Sequence, residues 1–215
     1  MSLATEIQYY TEAVEEIFDE YPEIIVVLCG LDGDGTNYRR AYDRYVATHD
    51  EIQLQYGASK IVLVSDDCQY VCKMPRFGDE CSREVEIYQK AVEAHLEKYF
   101  APCFKVGECH GMPLYFMEKV DAGVEVSDWV YLDDIPSYEY DDMEVTWTAI
   151  CENWNEDCAQ LKEFLDQNDV NDIHDENIGY DGDRIVIIDY SGYNGRNRSS
   201  SDYKKNIWFT KGERK

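Results

Sequence analysis

The residues best suited to do chemistry lie in the C-terminal part of the chain. Asp172-Ile173-His174-Asp175-Glu176-Asn177 sets a carboxylate and an amide five residues apart in a polar stretch, and Asp189 ends the apolar run Val186-Ile187-Ile188 twelve residues after Asn177. Phosphoryl transfer from ATP needs a cation clamp on the phosphates, oxygen ligands for Mg²⁺ and a carboxylate that orients the attacking hydroxyl. Asp172, Asn177 and Asp189 can supply the last two, and Lys73, closing Tyr70-Val71-Cys72-Lys73, the first. Taken singly, a lysine after a strand is ordinarily solvated and an aspartate in a loop ordinarily caps a turn. Their order along the chain is what singles them out.

Those side chains need elements to hold them. Ile7, Tyr10, Val14, Ile17 and Phe18 recur at helical spacing and predict a helix over 5–21, with Pro22 as a break. Tyr38, Tyr42, Tyr45 and Val46 predict a second helix that ends before Gln53, so residues 1–53 read as a helical N-terminal extension. From Gly57 onward, 61–64, 70–73 and 114–117 read as strands. A helix over 80–99 lies between them, with Val85, Tyr88, Val92 and Leu96 on one face. Strand, strand, helix, strand, strand up to Val120 makes residues 54–120 a small lobe. Residues 121–215 form the third region. There an acidic stretch over 121–142 precedes a helix from about 143 to 168 that carries Trp147, Ile150, Trp154, Leu161, Phe164 and Leu165. Residues 178–180 and 185–188 are expected to pair as a hairpin beyond the Asp172–Asn177 loop.

Composition narrows the class. The 215 residues suit one core or two small lobes around a cleft. Forty-five Asp and Glu against 20 Lys and Arg give a formal charge of −25, which disfavours nucleic acid and favours a basic protein substrate or partner. The run from Ile24 to Cys29 is far short of a membrane span, and no secretory leader is recognisable. Eight cysteines without a Cys-x-x-Cys pair suggest reduced thiols and a cytoplasmic setting. Cys109 and His110, being adjacent, do not make a metal site by themselves.

The Asp172 to Asn177 hexapeptide resembles the Asp-x-His-x-x-Asn catalytic loop of aminoglycoside-phosphotransferase-like and phage-encoded kinase-like proteins, within the protein-kinase-like superfamily. Asp189-Tyr190-Ser191-Gly192 resembles the Asp-Phe-Gly metal motif, and Tyr70-Val71-Cys72-Lys73 the strand lysine of Val-Ala-Ile-Lys. The resemblance, which spans Gly57 to Gly192, implies ATP and Mg²⁺ as cofactors. By it Asp172 is the catalytic base, His174 buttresses the loop, and Asn177 and Asp189 are metal ligands. Lys73 contacts the α and β phosphates and pairs with Glu84 of the following helix. Leu114 to Val120 corresponds to the fifth strand and hinge, with Met117 as gatekeeper and Glu118 and Val120 offering main-chain groups to adenine. Gly57 and Ser59 stand where the phosphate loop belongs.

Departures accompany these matches. Gln55 to Lys60 has one glycine where kinases use three, and the 26 residues after Asp189 are too few for an activation segment and peptide platform. The expected fold is α+β, a reduced kinase-like bilobal fold with a helical N-terminal extension. The expected function is an ATP- and Mg²⁺-dependent phosphotransferase acting on a protein hydroxyl in a bacterial or phage-infected cytosol, with a small-molecule acceptor as the other substrate class. Two rivals stand beside it. One is a catalytically inactive, acidic kinase-like binding protein or decoy. The other is a haloacid-dehalogenase-like phosphatase, suggested by Asp32-Gly33-Asp34-Gly35-Thr36 after the apolar run Ile24 to Leu28.

Overall fold

Ser2 opens the first helix, its hydroxyl accepting a hydrogen bond from the Thr5 N–H at 3.3 Å, as an N-cap should. The helix, α1 (Leu3–Glu20), turns Glu6, Tyr10, Ala13, Val14, Ile17 and Phe18 to one buried face. Pro22 then starts α2 (Pro22–Leu28) rather than a loop, at the first helical position where its missing N–H is not needed. The computed structural model describes residues 1–28, 35–49, 51–56, 60–75, 80–122, 142–182 and 184–192.

The remaining elements are α3 (Gly35–Thr48), β1 (Gln53–Tyr56), β2 (Lys60–Val64), β3 (Tyr70–Pro75), α4 (Glu80–Glu93), β4 (Cys103–Cys109), β5 (Met112–Glu118), β6 (Asp121–Ala122), α5 (Asp142–Trp154), α6 (Ala159–Gln167), β7 (Ile178–Asp181) and β8 (Arg184–Ile187). The fold is α+β, as expected from the sequence. Two compact units divide the described chain: Met1–Ser82 with Phe104–Glu118, and Arg83–Cys103 with Lys119–Tyr193.

The first unit is built on a five-stranded sheet in the order β1-β2-β3-β5-β4, with antiparallel registers along β1, β2, β3 and β5. Alternation along the strands sorts side chains onto two faces. One face carries Leu54, Ile61, Leu63, Cys72, Met74, Leu114 and Phe116, which form a single apolar core with Tyr10, Val14 and Ile17 of α1 and Ile24 and Ile25 of α2. Polar contacts fix the helix on it. The Tyr10 hydroxyl donates to the Tyr70 carbonyl at 2.8 Å and accepts from the Ser65 N–H at 3.1 Å, while Glu6 Oε2 accepts from the N–H groups of Gln69 and Tyr70.

The second unit joins α5 and α6 to a three-stranded sheet in the order β6-β7-β8. The expected hairpin forms, with Ile178 opposite Ile187 and Tyr180 opposite Ile185. No helix among the described residues is long and apolar enough to cross a membrane.

Several boundaries differ from expectation. A strand not expected from the sequence, Gln53–Tyr56, overlaps the first two residues of the Gln55 to Lys60 segment, because Ile52 and Leu54 alternate with exposed Gln53 and Gln55 and reach the core. The helix expected over 143–168 is two helices. Asn155 adopts a left-handed φ of 50° and stops α5, and α6 starts beyond Cys158. α4 ends at Glu93 because His95, at φ 60°, closes a Schellman-type turn in which the Leu96 N–H reaches the Ala91 carbonyl at 2.8 Å. Its buried residues include Cys81, Glu84, Ile87 and Ala91, whereas Val92 is exposed.

The phosphatase alternative is corrected here as well. It requires a strand leading into Asp32, but residues 22–28 are helical, with Ile24 and Ile25 drawn into the α1 core despite the strand preference of β-branched residues. Asp32 and Asp34 lie outside the described residues.

Candidate functional site

β8 leads into Asp189, the expected metal ligand, and three neighbours hold the strand. β7 pairs along one edge. From the end of α5 the Trp154 indole N–H donates to the Ile185 carbonyl at 3.0 Å, and Asn153 Oδ1 accepts from the Ile185 N–H at 2.9 Å. The Ala101 N–H donates to the Ile187 carbonyl at 3.0 Å. Just beyond, Tyr190 is fully buried, packs edge-to-face on Phe100 and donates from its hydroxyl to the Ala101 carbonyl at 2.7 Å. Burial pushes the Tyr190 phenol well above its usual range, with the negative charge of Cys103, Glu84, Tyr88 and Asp189 adding to the shift. The phenol therefore stays protonated and keeps its donor role. Asp189, half-buried between β8 and this anchor, accepts from the Ser191 hydroxyl at 3.2 Å.

The loop between α6 and β7 is braced by Asn177. Its side-chain N–H₂ donates to the Asp172 carbonyl at 2.7 Å and faces His174 Nε2 at 2.9 Å. Its main-chain N–H donates to the His174 carbonyl at 2.9 Å. His174 Nδ1 accepts from the Glu176 N–H at 3.3 Å, so the imidazole is tied into the same loop through both ring nitrogens. With the Asn177 amide nitrogen donating to the Asp172 carbonyl, its Oδ1 is the side-chain atom able to ligate a cation. The Asn177 carbonyl in turn accepts from the N–H groups of Ile188, at 2.9 Å, and Asp189, at 3.4 Å. Loop and strand end are thereby joined through main-chain bonds, which bring Asp172, His174, Asn177 and Asp189 into one cluster. The Asp172 side chain is 45% exposed and stands 3.8 Å from His174 Nε2.

In the first unit, Lys73 and Met117 meet. Val71 is the register partner of Met117 and Lys73 that of Tyr115, and the Lys73 ammonium donates to the Met117 sulfur at 3.2 Å. Glu118 is exposed at the end of β5, opposite Tyr70. In the second unit, Val120 packs so closely on Gly179 that a Cβ added there would lie 2.3 Å from Val120 Cγ2. Glu84 is completely buried on α4. The expected Lys73–Glu84 ion pair joins residues of different units and remains an expectation. Gly57 and Ser59 lie outside the described residues, as does most of the acidic 121–142 stretch.

No protein-family model matches the chain, and no curated protein does. A solved structure does match: the kinase PK-1 of Cydia pomonella granulovirus, with 17% identity and a TM-score of 0.37 over 71% of this chain. The chain spans 58% of that kinase's length.

The second-unit cluster has the donors that phosphoryl transfer requires. Mg²⁺ in such sites keeps several waters and takes one or two carboxylates plus the substrate's own phosphates, so one carboxylate and one amide oxygen are an adequate protein contribution. Among the described residues no group of three or more His, Cys, Asp or Glu is arranged as a metal cage. Two features escaped the sequence reading. Tyr190 reads as an unremarkable substitution for Phe, yet its hydroxyl is what fixes the motif to Ala101. Lys60 is the other. It is buried on the same sheet face as Lys73, and the spacing Lys60-x-Val62 opposite Lys73 was its only signal.

Proposed function

We propose that this chain is an ATP- and Mg²⁺-dependent phosphotransferase of the kinase-like type that phosphorylates a hydroxyl of a basic protein. The observation that carries the reading is the Asn177 carbonyl accepting from the Asp189 N–H while the Asn177 amide braces Asp172. In this scheme Asn177 Oδ1 and the Asp189 carboxylate would hold Mg²⁺, whose positive charge would offset that of the nucleotide phosphates. Asp172 accepts the proton of the attacking hydroxyl as the new P–O bond forms, and ADP leaves. Lys73 contacts the phosphates from β3, and Met117 borders the adenine. A formal charge of −25 supports a basic acceptor, because it raises the local concentration of cationic partners.

A thermal-shift titration with Mg·ATP, paired with transfer of labelled γ-phosphate to basic host proteins, tests the proposal. At about 100 times its dissociation constant, Mg·ATP should add about 2.7 kcal/mol to stability, and Asp189→Ala should remove most of that gain. Asp172→Asn should lower transfer by about 10² to 10⁴ while leaving the thermal shift intact. Wild-type protein that binds Mg·ATP but transfers no label would instead be a kinase-like binding protein. No shift at millimolar Mg·ATP would overturn the nucleotide site altogether.

A further inference from the structure

α6 closes on a left-handed residue. Asp169 adopts a φ of 53°, the Val170 N–H donates to the Leu165 carbonyl at 2.9 Å and the Asp169 N–H to the Asp166 carbonyl at 3.3 Å, which is a Schellman closure. It leaves the carbonyls of Asn168 and Asp169 to other partners, at the helix end that carries a negative partial charge. α4 supplies the partner. Arg83 Nη2 donates to the Asn168 carbonyl at 2.7 Å and to the Asp169 carbonyl at 3.4 Å. That one guanidinium nitrogen carries two hydrogens in a fixed plane, one for each carbonyl. Two turns further along α4, the Lys90 ammonium donates to Asn168 Oδ1 at 3.0 Å, while the Asn168 side-chain nitrogen donates to the Phe164 carbonyl at 2.8 Å.

The Asp169 carbonyl has a second neighbour. Gly192 lies against it so closely that a Cβ added there would stand 2.2 Å from the Asp169 oxygen. Asp172 follows Asp169 by three residues, and Gly192 follows Asp189 by three. Three residues span at most about 11 Å, so each carboxylate of the candidate site hangs on a short tether from the same carbonyl. Val170 and Ile173 on one tether and Tyr190 and Ser191 on the other are buried, which limits how far either can swing.

We infer that Arg83 is a positioning residue for phosphoryl transfer: by holding the Asn168 and Asp169 carbonyls from α4, it fixes the junction from which both Asp172 and Asp189 are set. The inference rests on the phosphotransferase reading and deepens it. Arg83 touches no reacting atom in this scheme. It acts through the end of α6, and its loss leaves two half-exposed carbonyls that water can satisfy, so the helix end loosens while the fold stays intact.

The test compares Arg83→Met with Lys90→Met, which removes a contact to the Asn168 side chain and leaves both carbonyls with Arg83. Transfer of labelled γ-phosphate, measured against Mg·ATP concentration, should show kcat lowered by about 10- to 100-fold in Arg83→Met with KM for Mg·ATP within about threefold. Lys90→Met should keep kcat within about threefold of wild type. Arg83→Lys, which restores a cation without the planar donor pair, should recover part of the loss. Hydrogen exchange gives a readout independent of turnover: the Asn177, Ile188 and Asp189 amides, which carry the loop-to-strand bonds, should exchange faster in Arg83→Met while amides of the β1-β2-β3 sheet do not. Wild-type kcat in Arg83→Met, an equal loss in Lys90→Met, or faster exchange throughout the chain overturns the role of Arg83 and leaves the phosphotransferase reading standing. Wild-type protein that transfers no label overturns both.

Discussion

Asn177 donates through its side-chain amide to the Asp172 carbonyl at 2.7 Å, so the expected metal ligand is also the brace of the expected base. The two roles separate by substitution. Neither Asn177→Ala nor Asn177→Asp can make the bond to Asp172, and each should cost about 1–3 kcal/mol of stability in urea unfolding. Only Asn177→Asp keeps an oxygen ligand. It should retain a Mg²⁺-dependent response to ATP that Asn177→Ala loses; equal responses from the two would detach Asn177 from the metal.

Three glycines form a graded series. Gly107 has open space at its Cβ position and an ordinary φ, Gly111 has open space but φ of 78°, and Gly192 combines φ of 74° with an added Cβ only 2.2 Å from the Asp169 carbonyl oxygen. Alanine at 107 should be nearly neutral, and at 111 it should cost about 1–2 kcal/mol for the left-handed backbone. At 192 the cost should be clearly greater than at 111, since the obstructing atom is backbone and cannot move aside. Melting temperatures of the three variants check the order, and equal losses at 111 and 192 would show that the segment after Asp189 shifts freely.

The Tyr10 hydroxyl joins α1 to two points at the β2–β3 connection of the sheet, Ser65 and Tyr70. Tyr10→Phe keeps the ring in the core but strands a donor and an acceptor. A loss of about 1–3 kcal/mol, seen as a lower urea midpoint at unchanged slope, is expected. An unchanged midpoint would mean that α1 is held by apolar packing alone.

Stability should fall on the alkaline side. Burial pushes the Cys109 thiol up to about 11 and Cys158 up to about 12, and moves Cys72, Tyr10 and Tyr190 upward as well. In the unfolded chain thiols ionise near 8.5 and phenols near 10. A raised folded value means stability that is complete below the unfolded pKa and is lost as pH climbs toward the folded one. Urea midpoints should thus hold steady up to about pH 8 and decline above about pH 9. Cys72, which is fully buried, should resist thiol reagents at pH 8 until the protein unfolds.

The sequence alone determined the parts that depend on local chemistry. The helical stripe from Ile7 to Phe18, the strands around Ile61, Tyr70 and Leu114, and the hairpin that carries Asp189 were legible because side-chain period and turn residues act over a few positions. The spacing of Asp172, Asn177 and Asp189 was legible for the same reason. Boundaries set by backbone conformation were not: Asn155 and His95 take left-handed φ values, which Asn and His adopt more readily than most residues but too seldom to mark a helix end where the apolar pattern continues. Tertiary packing alone decided that Ile24 and Ile25 serve a helix, that Glu84 rather than Val92 faces inward on α4, and that Lys60 shares a buried face with Lys73. A residue's burial depends on which surface arrives to cover it, and strand register places side by side residues that stand thirteen positions apart in the chain.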